Sequence, residues 1–281
     1  GKTLYPAQVE RIFIDLLAYR ESLIRGKVND TANSLLLRFS REPILDYIGE
    51  IVGVRRLLAT PAVCTMKLTF NQSGSGIVTI PAGTRFSTSD GLFVFATDYE
   101  TSVLVSAQPI VHVPSTCLTV GRSGSGYAPD SVTMVLDPLP YLMTATNLDT
   151  TSGGADRESD EALKERIRLA PQSFSNAGST GAYKFHARSA NPGIIDVSVT
   201  SPNPGQVNLY PLMTDGTLPN AQVLNQVYAA CNDERVRPLT DTVLVLAPVV
   251  ISYDIELELI LLNSAVPSEV ESLVINSIQE Y

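Results

Sequence analysis

Apolar residues recur at three- and four-residue steps over the first sixty positions. Val9, Ile12, Phe13, Leu16 and Leu17 share one helical face, and Leu35, Leu36, Phe39, Ile44, Leu45, Ile48 and Val52 repeat the pattern. Pro43 marks a helix start, where its fixed φ is pre-organised and its missing amide is not needed. Val54, Leu57 and Leu58 carry the last apolar positions before Pro61. Residues 1–60 therefore read as an N-terminal helical region. It has more apolar surface than short helices can hide among themselves, so it must pack on the rest of the chain or on another subunit.

At Pro61 the period changes to two. Met66, Leu68 and Phe70 alternate with Lys67 and Thr69, the pattern of a half-buried strand. Ile80 to Thr84 reads as a tight reversal, with Pro81 presetting φ and Gly83 in the left-handed position. Asp90-Gly91 marks a hairpin leading into Leu92 to Ala96, apolar on both faces and so central. Val103/Val105, Val111/Val113, Leu118/Val120 and Val132/Met134/Leu136 complete a run of short strands. Residues 61–152 are thus expected to form an all-β, sandwich-like module or an open barrel.

Residues 153–281 mix types. Gly153 to Arg168 (GGADRESDEALKERIR) starts with two glycines at a junction and predicts a helix capped by Ser159. Asp156, Glu158, Asp160 and Glu161 load its start with negative charge, where the macrodipole favours it. Lys164, Arg166 and Arg168 follow, with Asp160–Lys164 attractive and Glu161–Glu165 repulsive at i,i+4. This helix is either a solvated surface element or a charged docking surface. Ser179 to Ala190 predicts a helix closed by Asn191-Pro192-Gly193, and Ile194–Thr200 with Gln206–Met213 a hairpin around Pro202 to Gly205. Pro219 opens a helix with Val223, Leu224, Val227 and Cys231 on one face. Strands over Thr242–Val250 and Tyr253–Leu261 and a terminal helix capped by Ser268 follow. The fold class is α+β, lacking the strict alternation of a doubly wound sheet.

Four segments carry a resemblance. They are Val78 to Thr97 (VTIPAGTRFSTSDGLFVFAT), Gly153 to Arg168, Ser173 to Tyr210 (SFSNAGSTGAYKFHARSANPGIIDVSVTSPNPGQVNLY) and Arg235 to Pro248 (RVRPLTDTVLVLAP). Turns and caps like these recur in every fold, but the ordered set resembles the baseplate J-like proteins, wedge components of contractile phage tails and tail-like particles. The resemblance runs over nearly the whole chain. Family members continue past the region of Ser268 to Tyr281, so the chain reads as a truncated or short member. The resemblance implies paired copies in each wedge, binding to a smaller wedge protein, and closure into a sixfold ring around the central hub that holds sheath and tail fibres. It also implies a place in the virion tail baseplate, assembled in the host bacterial cytoplasm. The candidate subunit-interface residues are Val9, Phe13, Leu16, Leu36 and Phe39 in the helical region and Asp156, Glu158, Asp160, Glu161 and Arg166 in the charged segment.

Composition narrows the alternatives. A formal net charge of −9 and a pI near 4.8 count against a general nucleic-acid binder, which needs a basic footprint to displace counterions. Arg55-Arg56 is only a local basic spot. The most apolar stretch, Val243 to Ile251, is too short to cross a bilayer, so no membrane insertion is expected. Cys64, Cys117 and Cys231 are widely spaced and odd in number, and read as reduced, packed thiols.

A search for chemistry finds no catalytic set and no cofactor or metal site. His112 and His186 have no His, Cys or carboxylate at metal-ligand spacing. The SGSG loops at Ser73 and Ser123 lack the Lys-Ser/Thr that ends a phosphate-binding loop, and read as flexible loop tips. Asp254, Glu256 and Glu258 alternate with Ile255, Leu257 and Leu259, spacing adjacent acids roughly 7 Å apart on one strand face. They point the same way rather than flanking a bond, and the chain has no Trp to platform a sugar. Three like charges so close repel mildly, and a basic partner surface would relieve them. Together with the resemblance, which implies a structural wedge protein, this makes a non-enzymatic role the expectation. The alternatives are a carbohydrate- or host-surface-binding tail module and, last, a cell-wall hydrolase.

Overall fold

The computed structural model describes residues 5, 8–71, 76–106, 109–174, 178–214, 216–252, 254–260 and 267–280. Residues 1–248 form one compact unit and residues 249–281 a second. The overall plan is α+β, as expected.

Two helices open the chain, α1 (Val9–Ser34) and α2 (Ile44–Ile51). The apolar pattern through Leu35, Leu36 and Phe39 does not continue the helix, and these residues lie in turns. At the end of α1, Thr31 Oγ1 donates to Lys27 O and Ser34 Oγ to Thr31 O. Such side-chain bonds compete with the helical ladder and favour its ending there. Pro43 stands at the N-cap of α2, which buries Leu45 and Gly49.

The central module comprises β1 (Pro61–Phe70), β2 (Ile77–Ile80), β3 (Arg85–Thr88), β4 (Val94–Thr97), β5 (Thr101–Leu104), β6 (Ile110–Val120), β7 (Val132–Val135) and β8 (Leu142–Asn147). Six of them form an antiparallel sheet in the order β7-β3-β4-β6-β1-β8, while β2 pairs with β5. In β1 every second residue is buried, as the alternation requires. The Pro81 turn forms, with Thr84 N donating to Pro81 O (3.3 Å) and Gly83 at φ +81°, but it joins strands of different sheets. Asp90-Gly91 turns β3 back onto β4, and β4 is central. Val111 to Val120 is one long strand, not two, despite Pro114. The β4 ladder stops at Thr97 opposite Ser115, so it asks no amide of Pro114.

The sheet curls until its edge strands meet, which favours the open barrel over the sandwich. Asn147 of β8 closes the seam. Its Oδ1 accepts from Ser131 N (2.9 Å) and Val132 N (2.8 Å), and its Nδ2 donates to Ala128 O and Asp149 O (both 2.8 Å). The core inside includes Met66, Leu68, Phe70, Ile80, Phe86 and Phe95.

Beyond the barrel lie α3 (Asp160–Leu169), α4 (Thr180–Ala190), β9 (Ile194–Thr200), β10 (Gln206–Met213), α5 (Ala221–Cys231) and β11 (Thr242–Val245). β9 and β10 form the expected hairpin, and β10 and β11 pair in parallel with α5 between them in sequence. Tyr183, Leu209, Val223, Val227 and Cys231 lie in one core cluster here. Ser159, Ser179 and Asn220 cap their helices by accepting from Ala162 N, Ala182 N and Val223 N. Ser159→Ala is expected to cost about 1 kcal/mol in urea unfolding, because it strands one helix-end amide.

Residues 249–281 contain α6 (Pro267–Glu280). The expected strand over Tyr253–Leu261 is not formed in 254–260, which pairs with no described residue; Tyr253 and Leu261 lie outside the described residues. Alternation alone makes no ladder when no neighbouring strand supplies one. β11 likewise ends at Val245, short of the expected Val250.

Of the two glycine-rich loops, the one at Ser123 differs from expectation. Residues 72–75 of the first lie outside the described set. The second is a packed turn, in which Gly124 is buried against Cys117 and Ala62 and Thr151 Oγ1 donates to Gly124 O (2.8 Å).

Entry to and exit from the barrel are side by side. Thr60 and Ala155 exchange both backbone bonds (2.8 and 3.0 Å), as do Val63 and Ser152 (2.8 and 3.1 Å). Gly154 permits this closeness, since a Cβ there would stand 2.5 Å from Gly121 O.

Candidate assembly surfaces

The two groups of sequence-predicted contact residues have opposite fates. α1 is 26 residues long and buries none of them. Val9 (64% exposed), Phe13 (61%) and Leu16 (59%) lie on its apolar face with Ile12, Leu17, Leu23 and Ile24, all exposed. Ion pairs Arg11–Asp15 (3.0 Å) and Glu21–Arg25 (2.7 Å) support the opposite face at i,i+4 spacing. Leu36 and Phe39 are exposed too, on the turns after α1, where the Arg38 guanidinium lies 5.7 Å from the Phe39 ring centre. Among the described residues nothing buries this apolar helix face.

The charged segment is largely turned inward. Glu158 is 5% exposed and Arg166 4%. Arg166 Nε and Nη2 grip the two carboxylate oxygens of Glu158 at 2.6 and 2.7 Å. Arg166 also donates to Arg55 O (2.6 Å) and Ser189 Oγ (3.0 Å), and Glu158 accepts from Leu57 N (3.0 Å). These two residues are therefore a buried clamp, not a docking surface. A bidentate pair with its remaining donors satisfied is the one way two such charges tolerate burial.

Asp160 is likewise engaged within the chain. Arg56 Nη2 donates to it at 2.7 Å, while Arg56 Nε donates to Asp46 (2.9 Å) and Nη1 to Glu158 O (2.9 Å). Burial is the strongest influence on the Asp160 carboxyl and pushes it up, but the Arg56 hydrogen bond and charge, a backbone bond and the Lys164 charge together hold its pKa below the usual aspartate value. Burial opposes the charge of Arg56 too, but its bonds to Asp46 and Asp160 raise its pKa overall. The expected Asp160–Lys164 attraction is present as the smaller effect beside this longer-range ion pair. Arg157 reaches Glu42 at 2.7 and 3.0 Å. With Leu45, Val54, Leu163, Ile167 and Ala170 packed together, these ion pairs fix α2 on α3.

Only Asp156 and Glu161 of the predicted charged set remain exposed. Asp156 accepts from Arg122 N at 2.9 Å. Sequence reasoning missed Arg56 and Asp46. No local spacing relates residues 46, 56, 158, 160 and 166, so periodicity carries no signal of the network.

Beside this segment lies a cleft of about 380 Å³. α3 contributes Glu161, Ala162 and Glu165, and the start of β9 contributes Ile194 and Ile195. Arg122, Arg188 and Met213 also line it. Among the described residues no cluster of His, Cys, Asp and Glu is placed to hold a metal ion, and no helix is long and apolar enough to cross a membrane. His112 is exposed on β6. His186 is half-buried on α4, where burial pushes its pKa down. All three cysteines are free and buried, and burial pushes the Cys64 and Cys231 thiols up to about 12.

Comparison with known proteins places the whole arrangement. Residues 11–63 match the Baseplate J-like N-terminal domain, 65–154 the Baseplate J-like protein barrel domain, and 175–247 the Baseplate J-like central domain. Baseplate protein J of Escherichia phage P2 is 34% identical over 125 residues, which are 44% of this chain and 41% of that protein. Baseplate protein gp47 of Escherichia phage Mu is 29% identical over 120 residues, 43% of this chain and 31% of that protein. Each match thus spans less than half of the relative. A chain of the sixfold-symmetrised cryo-EM baseplate of the anti-feeding prophage (AFP) aligns with a TM-score of 0.44 and 13% identity, covering 88% of this chain and 68% of that one. Three successive domain models of one family, matched in order from residue 11 to residue 247, establish that the chain belongs to the baseplate J-like family.

Proposed function

We propose that the chain is a structural protein of a phage tail baseplate, a wedge component with no catalytic role. In this reading copies of it pair with one another and with a smaller wedge protein. They close a ring around the central hub and connect it to sheath and tail fibres. The complex resides in the virion baseplate and is assembled in the host cytoplasm. Membership of the family supports the baseplate assignment. The observation that carries the contact role is α1, a long helix whose apolar face finds no cover among the described residues of its own chain.

The test separates assembly from folding. Because Phe13 (61% exposed) and Leu16 (59%) lie mostly in solvent, Phe13→Asp with Leu16→Asp is expected to shift unfolding by less than about 1 kcal/mol. The same pair is expected to abolish complexes seen by native mass measurement after co-expression with neighbouring tail genes. Complexes of unchanged mass and yield would remove α1 from the interface. An expected binding-null on a glycan array separates the wedge role from a sugar-binding tail module.

A further inference from the structure

β11 stands at one end of its sheet, and the side it turns away from β10 has no strand among the described residues. Thr242 N donates to Gly205 O (2.6 Å) and Leu246 N to Leu209 O (2.9 Å), so the even positions of β11 face β10. By the period of two, Val243 and Val245 direct their N–H and C=O groups to the open side. Neither amide has an acceptor among the described residues. A groove of about 300 Å³ lies along this edge, lined by Leu224, Asn225 and Tyr228 of α5 and by Val243, Leu244 and Val245. No residue of β10 is among them, and none of the six is charged. Val243 and Val245 belong to the core layer that α5 covers, so a strand added here would extend that layer beneath Leu224 and Tyr228. An unpaired edge of this kind is a template for a strand from another chain.

The chain also carries a strand pattern that has no ladder. Val249, Ile251, Tyr253, Ile255, Leu257 and Leu259 are apolar at every second position, and Asp254, Glu256 and Glu258 fall between them. Ile255, Leu257 and Leu259 are exposed, and 254–260 pairs with no described strand. We propose that the open edge of β11 receives the Asp254–Ile260 segment of a second copy as an added strand. Its backbone groups meet those of Val243 and Val245. Ile255, Leu257 and Leu259 enter the groove beneath Leu224 and Tyr228, and the acids lie on the opposite face, beside half-exposed Leu244. Charge argues against the simplest rival, two such segments pairing with each other. Antiparallel pairing centred on Leu257 sets Glu256 opposite Glu258, where like charges repel. The edge from Thr242 to Val245 is neutral and imposes no such cost. The inference rests on the proposed pairing of copies but uses a surface other than α1, so its failure leaves the α1 test standing.

A fluorescein-labelled peptide of residues 249–260, titrated with the full chain and read by anisotropy, tests it. Saturable binding is expected. Val245→Pro removes an amide that β10 does not use, so the chain should keep its unfolding midpoint and bind the peptide at least tenfold more weakly. Tyr228→Asp, at a position 44% exposed, should weaken binding in the same way. In the peptide, Leu257→Asp should do so too, whereas Glu256→Gln with Glu258→Gln should leave affinity within twofold, because the acids face away from the groove. Methylating the peptide amides of one alternate set should abolish binding, and methylating the other set should not. Sedimentation velocity in chains that carry Phe13→Asp and Leu16→Asp, and so lack the α1 contact, reads the same edge between copies. Self-association should persist there and be lost on adding either Val245→Pro or Leu257→Asp. Mixing those two chains should restore a heterodimer, since one supplies the segment and the other the edge. No peptide binding at millimolar chain, binding indifferent to Val245→Pro and Tyr228→Asp, or a mixture that stays monomeric would overturn the proposal. So would protection of the Val243 and Val245 amides from hydrogen exchange in dilute monomer, since the chain would then have closed its own edge.

Discussion

Glu158→Ala should destabilise the chain by about 3–5 kcal/mol, the usual result of removing one member of a buried ion pair. The loss exceeds one contact because Arg166 would remain 4% exposed with its charge uncompensated, and Leu57 N would lose its acceptor. Replacing both partners, Glu158→Leu with Arg166→Met, is expected to cost markedly less than the single change, since no charge is then stranded. Urea unfolding followed by circular dichroism measures both. A single-variant loss below about 1 kcal/mol would show that the clamp is solvated. Glu161→Ala, at an exposed position of the same helix, serves as the control and is expected to stay within about 0.5 kcal/mol. Charge reversal across Glu158, Asp160 and Glu161 together would therefore unfold before it informed on assembly.

Asn147→Ala is the second large effect, expected at about 3 kcal/mol. The side chain is fully buried and makes four hydrogen bonds to backbone groups on both sides of the barrel seam. Truncation strands Val132 N and Asp149 O, while Ser131 N and Ala128 O keep the bond between them (3.2 Å). Each costs about 1–3 kcal/mol where water cannot replace the partner, and the bond from Val132 N is the fully buried one. Asn147→Asp keeps an acceptor for Ser131 and Val132 but sets a carboxylate against Ala128 O and Asp149 O, so it should not rescue. Hydrogen exchange at Val132 reports the seam directly. Protection unchanged in Asn147→Ala would refute its role.

Local pattern made most of the fold legible. The alternation in β1, the capping serines and the Pro202 to Gly205 turn each act within a few residues, where periodicity and turn chemistry are informative. What escaped depends on distant partners. Pro114 looks like a strand breaker until the neighbouring strand is seen to end beside it. Asp254 to Ile260 looks like a strand until no ladder partner is found. The charged segment shows the same limit at the candidate surface. Helix start, cap and charge order followed from residues 153–168 alone, but burial of Glu158 and Arg166 is decided by residues 55–57 and 189. The apolar excess of α1 is legible too, because it is a property of the segment itself, whereas what covers it is not.

The adjoining entry and exit at Thr60 and Ala155 have a mechanical consequence. A module joined to its neighbours through a single doorway is a side branch, and tension along the chain is short-circuited across its neck. Pulling on α1 would load the junction of α2 with α3 while leaving the barrel slack. Within such a layout the barrel can grow, shrink or be exchanged without changing the distance that α2 and α3 span.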